Sequence, residues 1–440
     1  MTPELIVVLM IVGVLVGVML GFPIAFTLGA LGLIFGYIGW GSPVLNMVGI
    51  RAVGLNQDII FIAIPLFVFM GCMLERSGVA IKAFEVLNQW LRRIKGGLGI
   101  ASVIICVIFG ASVGVVGASV VTMALLCIPP MLKAGYDKRL ATGIVAAGGT
   151  LGILLPPSIM LVVLGPVAQV SVIQLFAGTI APGLLLGLLY AIYVALIGNL
   201  RKGMVPETIK DDTNYVKQFN LAQGLAAFLP LIVLIFAVLG AIFFGIAAPT
   251  EAAAVGALGA IIVAVGYRKC TWDALAGSAK ATIRASSMVF FVILGANIFT
   301  GSFFAVGGTR IVSNVLTGLG LGPVGTYAIV LLLVFSLGIF LDWVGVILIV
   351  VPVFLPILVE FGFDPLAVSL TIVVLLQTSF VTPPFAYTIF YIAGVSPPEV
   401  KVADIYRGVT PFIFIQLIVV AICIAFPGFL LFLPDVLISV

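Results

Sequence analysis

Asp342 is the residue whose chemistry most demands an explanation. It stands within 311–400, a stretch containing no Lys or Arg that could neutralise it. A carboxylate without a cation in apolar sequence is expensive to bury and functional by default. Two double prolines, Pro156-Pro157 and Pro383-Pro384, interrupt apolar runs with small polar residues around them. The first follows Gly149-Thr150 and precedes Ser158; the second follows Thr378, Ser379 and Thr382. Proline removes a backbone donor and clashes with the preceding turn, so a helix must break at each pair. The freed carbonyls need protein, water or an ion. With Ser and Thr hydroxyls they form an oxygen set suited to Na⁺, while the resumed half-helix offers its positive end to a carboxylate. Two glycine-rich runs supply an opposing wall. One runs from Gly110 through Ser112, Gly114 and Gly117 to Ser119, the other from Gly338 through Asp342 and Trp343 to Gly345. Glycine permits tight turns and close backbone approach. Any one of these glycines or prolines alone fits ordinary helix packing equally well.

What is missing narrows the chemistry. The chain has no histidine, which removes His-ligated metals, Ser-His and Cys-His nucleophile pairs and histidine proton relays. Its five cysteines are isolated, with no disulfide or zinc spacing.

The elements that position these groups must lie in a membrane. Of 440 residues, 63% are hydrophobic and 8% charged, against about a quarter charged in soluble domains. Apolar runs of about 17–25 residues, enough to cross roughly 30 Å of hydrocarbon, recur along the chain. The opening Met1-Thr2-Pro3-Glu4 lacks a basic n-region, so the first apolar run is expected to be retained.

Basic residues fall in five clusters: Arg76 to Lys95, Lys133 to Arg139, Arg201 to Lys217, Arg268 to Arg284, and Lys401 with Arg407. Placing all five in the cytoplasm puts 18 of 20 basic residues inside and leaves Arg51 and Arg310 outside. Residues 98–130 then have a basic cluster at each end, which one span cannot accommodate. They are expected to be a re-entrant hairpin with arms of about 13–15 residues, roughly 20 Å at the helical rise. Residues 324–357 are expected to be a second hairpin, entering from outside. Ten spans remain, near 4–20, 22–40, 58–75, 140–168, 175–200, 222–245, 250–266, 285–306, 366–393 and 409–430. Both termini come out periplasmic.

The halves align at an offset of about 226 residues: Pro23 with Pro249, Gly29-Ala30-Leu31 with Gly256-Ala257-Leu258, and Asp137 with Asp364. A double proline begins 19 residues after each Asp. Since one half starts outside and the other inside, the repeats are inverted, an arrangement of secondary transporters. The predicted fold is therefore an all-α polytopic membrane protein. Its first repeat is 1–200 (hairpin 98–130, broken helix 140–168, span 175–200). A cytoplasmic linker, 201–220, follows, and the second repeat is 221–440 (hairpin 324–357, broken helix 366–393, span 409–430). Residues 76–97 read as a basic amphipathic arm on the lipid surface, with Ile81, Phe84, Leu87 and Leu91 on its apolar side, and not as a nucleic-acid site. Glu75-Arg76 reads as an interfacial pair, and Thr250 with Glu251 as the capped start of a helix.

Taken together, Ala248-Pro-Thr-Glu-Ala-Ala-Ala254, Gly149-Thr-Leu-Gly-Ile-Leu-Leu-Pro-Pro-Ser-Ile159, Leu341-Asp342 before Pro352 and Pro356, and Thr382-Pro-Pro384 resemble one family. It is the large, DctM-like membrane subunit of tripartite ATP-independent periplasmic (TRAP) transporters, and the resemblance covers essentially the whole chain. It implies an elevator mechanism in the bacterial inner membrane: sodium-coupled symport of small organic acids through two or more Na⁺ sites, with no organic cofactor. It also implies a small four-helix membrane partner (Q type) and a periplasmic substrate-binding protein (P type). Family sodium sites lie where hairpin tips meet broken helices. That maps onto Ser112, Gly114, Gly117 and Ser119 with Gly149, Thr150 and Pro156, and onto Gly338, Asp342 and Gly345 with Thr378, Ser379, Thr382 and Pro383. The resemblance departs at Phe303-Phe304-Ala305-Val306, where members handling sialic acid carry an arginine, so that substrate is not implied. A single-component Na⁺/dicarboxylate symporter would share the repeat and hairpins. An intramembrane protease is disfavoured by the missing histidine and the missing second aspartate.

Overall fold

The computed structural model describes residues 1–91, 93–114, 116–201, 203–206, 221–383 and 386–438. These described residues form twenty α-helices. In chain order they are α1 Pro3–Met19, α2 Ile24–Trp40, α3 Pro43–Gln57, α4 Ala63–Ser77, α5 Val79–Leu91, α6 Gly97–Val113, α7 Val116–Lys133, α8 Lys138–Leu154, α9 Ile159–Ala168 and α10 Val172–Leu200. The second half holds α11 Leu221–Phe243, α12 Pro249–Gly266, α13 Trp272–Ala305, α14 Gly308–Gly318, α15 Gly322–Phe340, α16 Trp343–Glu360, α17 Pro365–Ser379, α18 Tyr387–Val395, α19 Val402–Ala425 and α20 Gly428–Ile438.

Helix starts are written in short-range chemistry. Asp137 accepts a hydrogen bond from the Arg139 amide at 2.8 Å and Asp364 from the Ala367 amide at 2.7 Å. The aligned aspartates thus open the two broken helices in the same way. Glu251 folds back to accept from the Ala248 amide at 2.9 Å, the structural role expected of it. Thr250, however, is not the cap; Ala248 occupies that position, with Pro249 opening the helix.

Two packed groups emerge. The hairpins α6–α7 and α15–α16 surround the broken helices α8–α9 and α17–α18. Every residue of α8 from Leu140 to Leu154 and of α17 from Leu366 to Ser379 is buried, the mark of core helices that are apolar all round. The hairpin approaches closely because both chains are bare: a Cβ on Gly110 would meet the Gly152 Cα at 2.9 Å. The second group is α1, α2, α4, α11, α12 and α13. Its outer faces expose Val8, Ile34, Leu229, Phe236 and Ile262, side chains suited to lipid. Gln416 donates to the Tyr190 hydroxyl at 2.8 Å across 226 residues. Equivalent positions of the two halves therefore touch, as positions near a two-fold axis do.

Several expectations change. The hairpin arms are 17 and 18 residues in the first pair and 19 and 18 in the second, not 13–15. Among the described residues, eight helices are long and apolar enough to span, nine counting the α8–α9 pair bent by 46°. Two of the eight are α15 and α16, while α1 and α2, at 17 residues each, fall just short. The turn between α15 and α16, at Leu341 and Asp342, borders a cavity. The expected span 285–306 is the far part of the 34-residue α13, and 409–430 is divided between α19 and α20. The helices α3 and α14 were not foreseen. In the arm, α5, Phe84 and Leu87 are buried but Ile81 is 50% exposed. The helix packs against α6 and α11 instead of lying free on the lipid surface. Glu75 makes no ion pair with Arg76; its carboxylate accepts from the Thr122 hydroxyl on α7 at 2.6 Å. Most of the 201–220 linker and Pro384 lie outside the described residues.

Candidate functional site

Both hairpin turns end in one cavity of about 460 Å³. Gly114 and Gly117 reach it from the first hairpin, Leu341, Asp342 and Trp343 from the second, and Ile159 from the start of α9. Phe380, Tyr387 and Tyr391 border it at the break between α17 and α18, and Pro23 and Met288 close it from the other helix group. The local geometry explains the turns. Gly114 adopts φ +65°, a left-handed conformation that suits glycine, and ends α6. Leu341 and Asp342 are both extended, so the chain leaves α15 and enters α16 without a further turn. Asp342 occupies the N-cap of α16, but its side chain makes no capping hydrogen bond. Its carboxylate faces the cavity half-buried and, among the described residues, without a salt-bridge partner.

The first hairpin meets the first break. A Cβ on Gly114 would lie 3.2 Å from the Pro157 carbonyl oxygen, and one on Gly149 would lie 2.8 Å from Val120, beside Ser119. Here the hydroxyls are mostly occupied. Ser112 donates to the Ile108 carbonyl at 3.0 Å, Thr150 to the Ala147 carbonyl at 2.8 Å, and Ser158 to the Ile153 carbonyl. Pro156 is buried, and Ser119 Oγ alone in this group is buried without a partner.

The second break is different. Thr382 donates to the Thr378 carbonyl at 2.7 Å. The hydroxyls of Thr378, Ser379 and Thr388 and both amide atoms of Gln377 are buried with no hydrogen-bond partner among the described residues. Ser379 lies against Gly338 of the second hairpin, where a Cβ would come within 2.5 Å of its Oγ. The Thr388 amide reaches the Phe380 carbonyl at 3.4 Å across the break. Leaving a buried polar group unpaired costs roughly 1–3 kcal/mol each. The segments on either side of the second break thus carry neutral polar oxygens that are buried and unpaired among the described residues. Among the described residues no group of three or more His, Cys, Asp or Glu converges as a multivalent metal site would need.

Of the expected residues, Gly345 does not join this convergence; it packs on Ile24 of the other group. Pro383 is exposed. Gln377, Tyr387, Thr388 and Tyr391 were not singled out as site residues. Tyr387 and Tyr391, four apart just past a helix break, form a signal that could have been read, whereas the unpaired state of Thr388 has no sequence signature.

A family model described as the DctM component of the tripartite ATP-independent periplasmic transporter matches residues 11–429. The chain belongs to this family. It is a multi-pass TRAP transporter large permease. The C4-dicarboxylate TRAP transporter large permease protein DctM of Pseudomonas aeruginosa is 30% identical over 396 residues, 89% of this chain and 90% of that protein. The ectoine TRAP transporter large permease protein TeaC of Halomonas elongata is 30% identical over 409 residues, 92% of each chain. Among solved structures, the Alcanivorax borkumensis YdaH transporter, whose topology is described as unusual, superposes with a TM-score of 0.68 over 98% of this chain and 99% of its own. At 15% identity it speaks for the fold alone.

Proposed function

We propose that this permease imports small organic acids by coupling them to sodium, using an elevator movement and a separate substrate-binding protein. The observation that carries the proposal is the set of buried hydroxyls without partners on either side of the second break, at Thr378, Ser379 and Thr388, adjoining in the chain Phe380 and Tyr387, which line the cavity bearing the carboxylate of Asp342. Neutral hydroxyls and free carbonyls at a broken helix suit Na⁺, the coupling ion and co-substrate. The Na⁺ would be held by Thr378, Ser379 and carbonyls freed near Pro383, with Asp342 supplying negative charge. The substrate carboxylate would take the positive starts of α9 or α18.

The two packed groups favour an elevator. The hairpins and broken helices would move as one body against α1, α2, α4 and α11 to α13. One contact such a movement must break is the Glu75–Thr122 hydrogen bond, which ties α4 to α7. The family description names a tripartite system. We therefore assign the chain a small membrane subunit and a periplasmic binding protein as partners, an inner-membrane location, and periplasmic termini. The relatives named for C4-dicarboxylates and for ectoine share a carboxylate in their ligands, which fits an organic acid here.

Reconstitution tests this reading. The chain with both partners should take up an organic acid when sodium is supplied outside, and should show little uptake without them. Uptake by the chain alone would point to a one-component symporter, and uptake indifferent to sodium would remove the coupling.

A further inference from the structure

A second cavity, of about 840 Å³, lies across the second hairpin from the first. α13 walls both: Met288 and Val292 face the tip cavity, while Asn297, Thr300 and Phe304 face this one. α16 is shared likewise, through Asp342 to Val344 on one side and Leu348 and Pro352 on the other. The remaining wall is α3, with Asn46, Met47, Arg51 and Asp58, and the far end of α9. The cavity therefore opens between the two helix groups, at the end of α13 away from the basic clusters at its start.

Thr300 donates to the Leu348 carbonyl at 3.3 Å, but two other polar groups of the lining are unused. Arg51 has no ion pair or hydrogen bond among the described residues. Asp58, the carboxylate on the same wall, is engaged by the Ile60 amide at 3.1 Å. Asn297 is half-buried on α13, and its amide has no partner among the described residues. Gly301 brings the helices together: a Cβ there would lie 2.5 Å from the Met47 sulfur and 3.7 Å from Arg51 Nε. The guanidinium is thus set along the α3–α13 seam, at the wall of the cavity. A free guanidinium matches a carboxylate with two parallel hydrogen bonds.

We propose that this cavity is an arrival subsite for a hydroxy- or oxo-carboxylate, in which Arg51 takes the carboxylate and Asn297 the neighbouring oxygen. The proposal rests on the reading that the permease carries small organic acids. It places the anion against α16 and α9, on the opposite side of the hairpin from Asp342.

Trp40 lines this cavity and Trp343 the other, which provides a probe. The full chain, with Trp90, Trp272 and Trp343 replaced by Phe, would be placed in nanodiscs and titrated with malate and with pyruvate while Trp40 fluorescence is followed. A saturable change with at least one of them is expected. Arg51→Gln should raise the half-saturating concentration about tenfold or more, the loss of one charge-assisted pair. Arg51→Lys should recover part of it, and Asp342→Asn should leave the Trp40 titration in place. Absence of any saturable response, or an Arg51→Gln curve matching its parent, would overturn the subsite. Because the assay needs neither partners nor sodium, its failure beside intact uptake by the assembled transporter would sink the subsite alone. Failed uptake beside an intact titration would instead sink the proposed function.

Discussion

At the first helix break, Thr150 spends its hydroxyl on a carbonyl of its own helix, Ser158 bridges the break to the Ile153 carbonyl, and Ser112 bonds within its own arm of the facing hairpin. At the second, Thr378, Ser379, Thr388 and Gln377 remain unpaired though buried. The two breaks share a double proline, a capping aspartate 19 residues upstream and a hairpin packed alongside. Similar sequence signals have therefore produced one site closed on itself and one left open. A buried open site is costly unless something fills it. The repeat supplies the architecture, and the local choice of polar residues decides which copy keeps buried hydroxyls unpaired.

The comparison can be pressed by mutation. Asp342→Asn is expected to have the largest effect, cutting sodium-driven uptake about a hundredfold or more while the protein still inserts at normal levels. Uptake within a fewfold of wild type would separate the carboxylate from the open site. Gly110→Leu should disrupt the closed side, because its side chain would enter the α8 backbone at Gly152. Overpacking of this kind costs roughly 1–3 kcal/mol, to be read as a lowered midpoint in thermal size-exclusion. Ser158→Ala should cost only about 1 kcal/mol, one hydrogen bond, and should shift the half-saturating sodium concentration less than twofold. A large sodium effect would mean the first break also binds through its hydroxyl. Thr122→Val should be the mildest, removing the Glu75 contact and changing the maximal uptake rate more than any affinity.

The fold was legible wherever chemistry is local. Prolines marked the breaks, and the glycine-bearing runs at 110–117 and 338–345 held the turns. α3 escaped because Asn46, Arg51, Asn56 and Gln57 dilute its apolar character. α14, only 11 residues long, is too short for a span. The arm lengths were underestimated because only two residues separate the arms of each hairpin, so nearly the whole segment is helix. In the site, Asp342 stood out by its isolation and Thr378, Ser379 and Thr382 by their nearness to Pro383-Pro384. Which of those hydroxyls would be satisfied depends on what each meets, within its own segment or on the facing hairpin. Thr382 finds the Thr378 carbonyl, and Ser379 faces Gly338, which offers no partner.

The central claim is that the second break is the sodium site, and sodium-dependent thermal stability tests it most directly. A ligand bound only by the folded state raises stability by about 2.7 kcal/mol at one hundred times its dissociation constant. Purified wild-type protein should unfold at a higher temperature in sodium than in potassium at equal ionic strength. Thr378→Val combined with Ser379→Ala should remain folded in potassium and lose that sodium increment. An increment unchanged in the double variant would contradict the account.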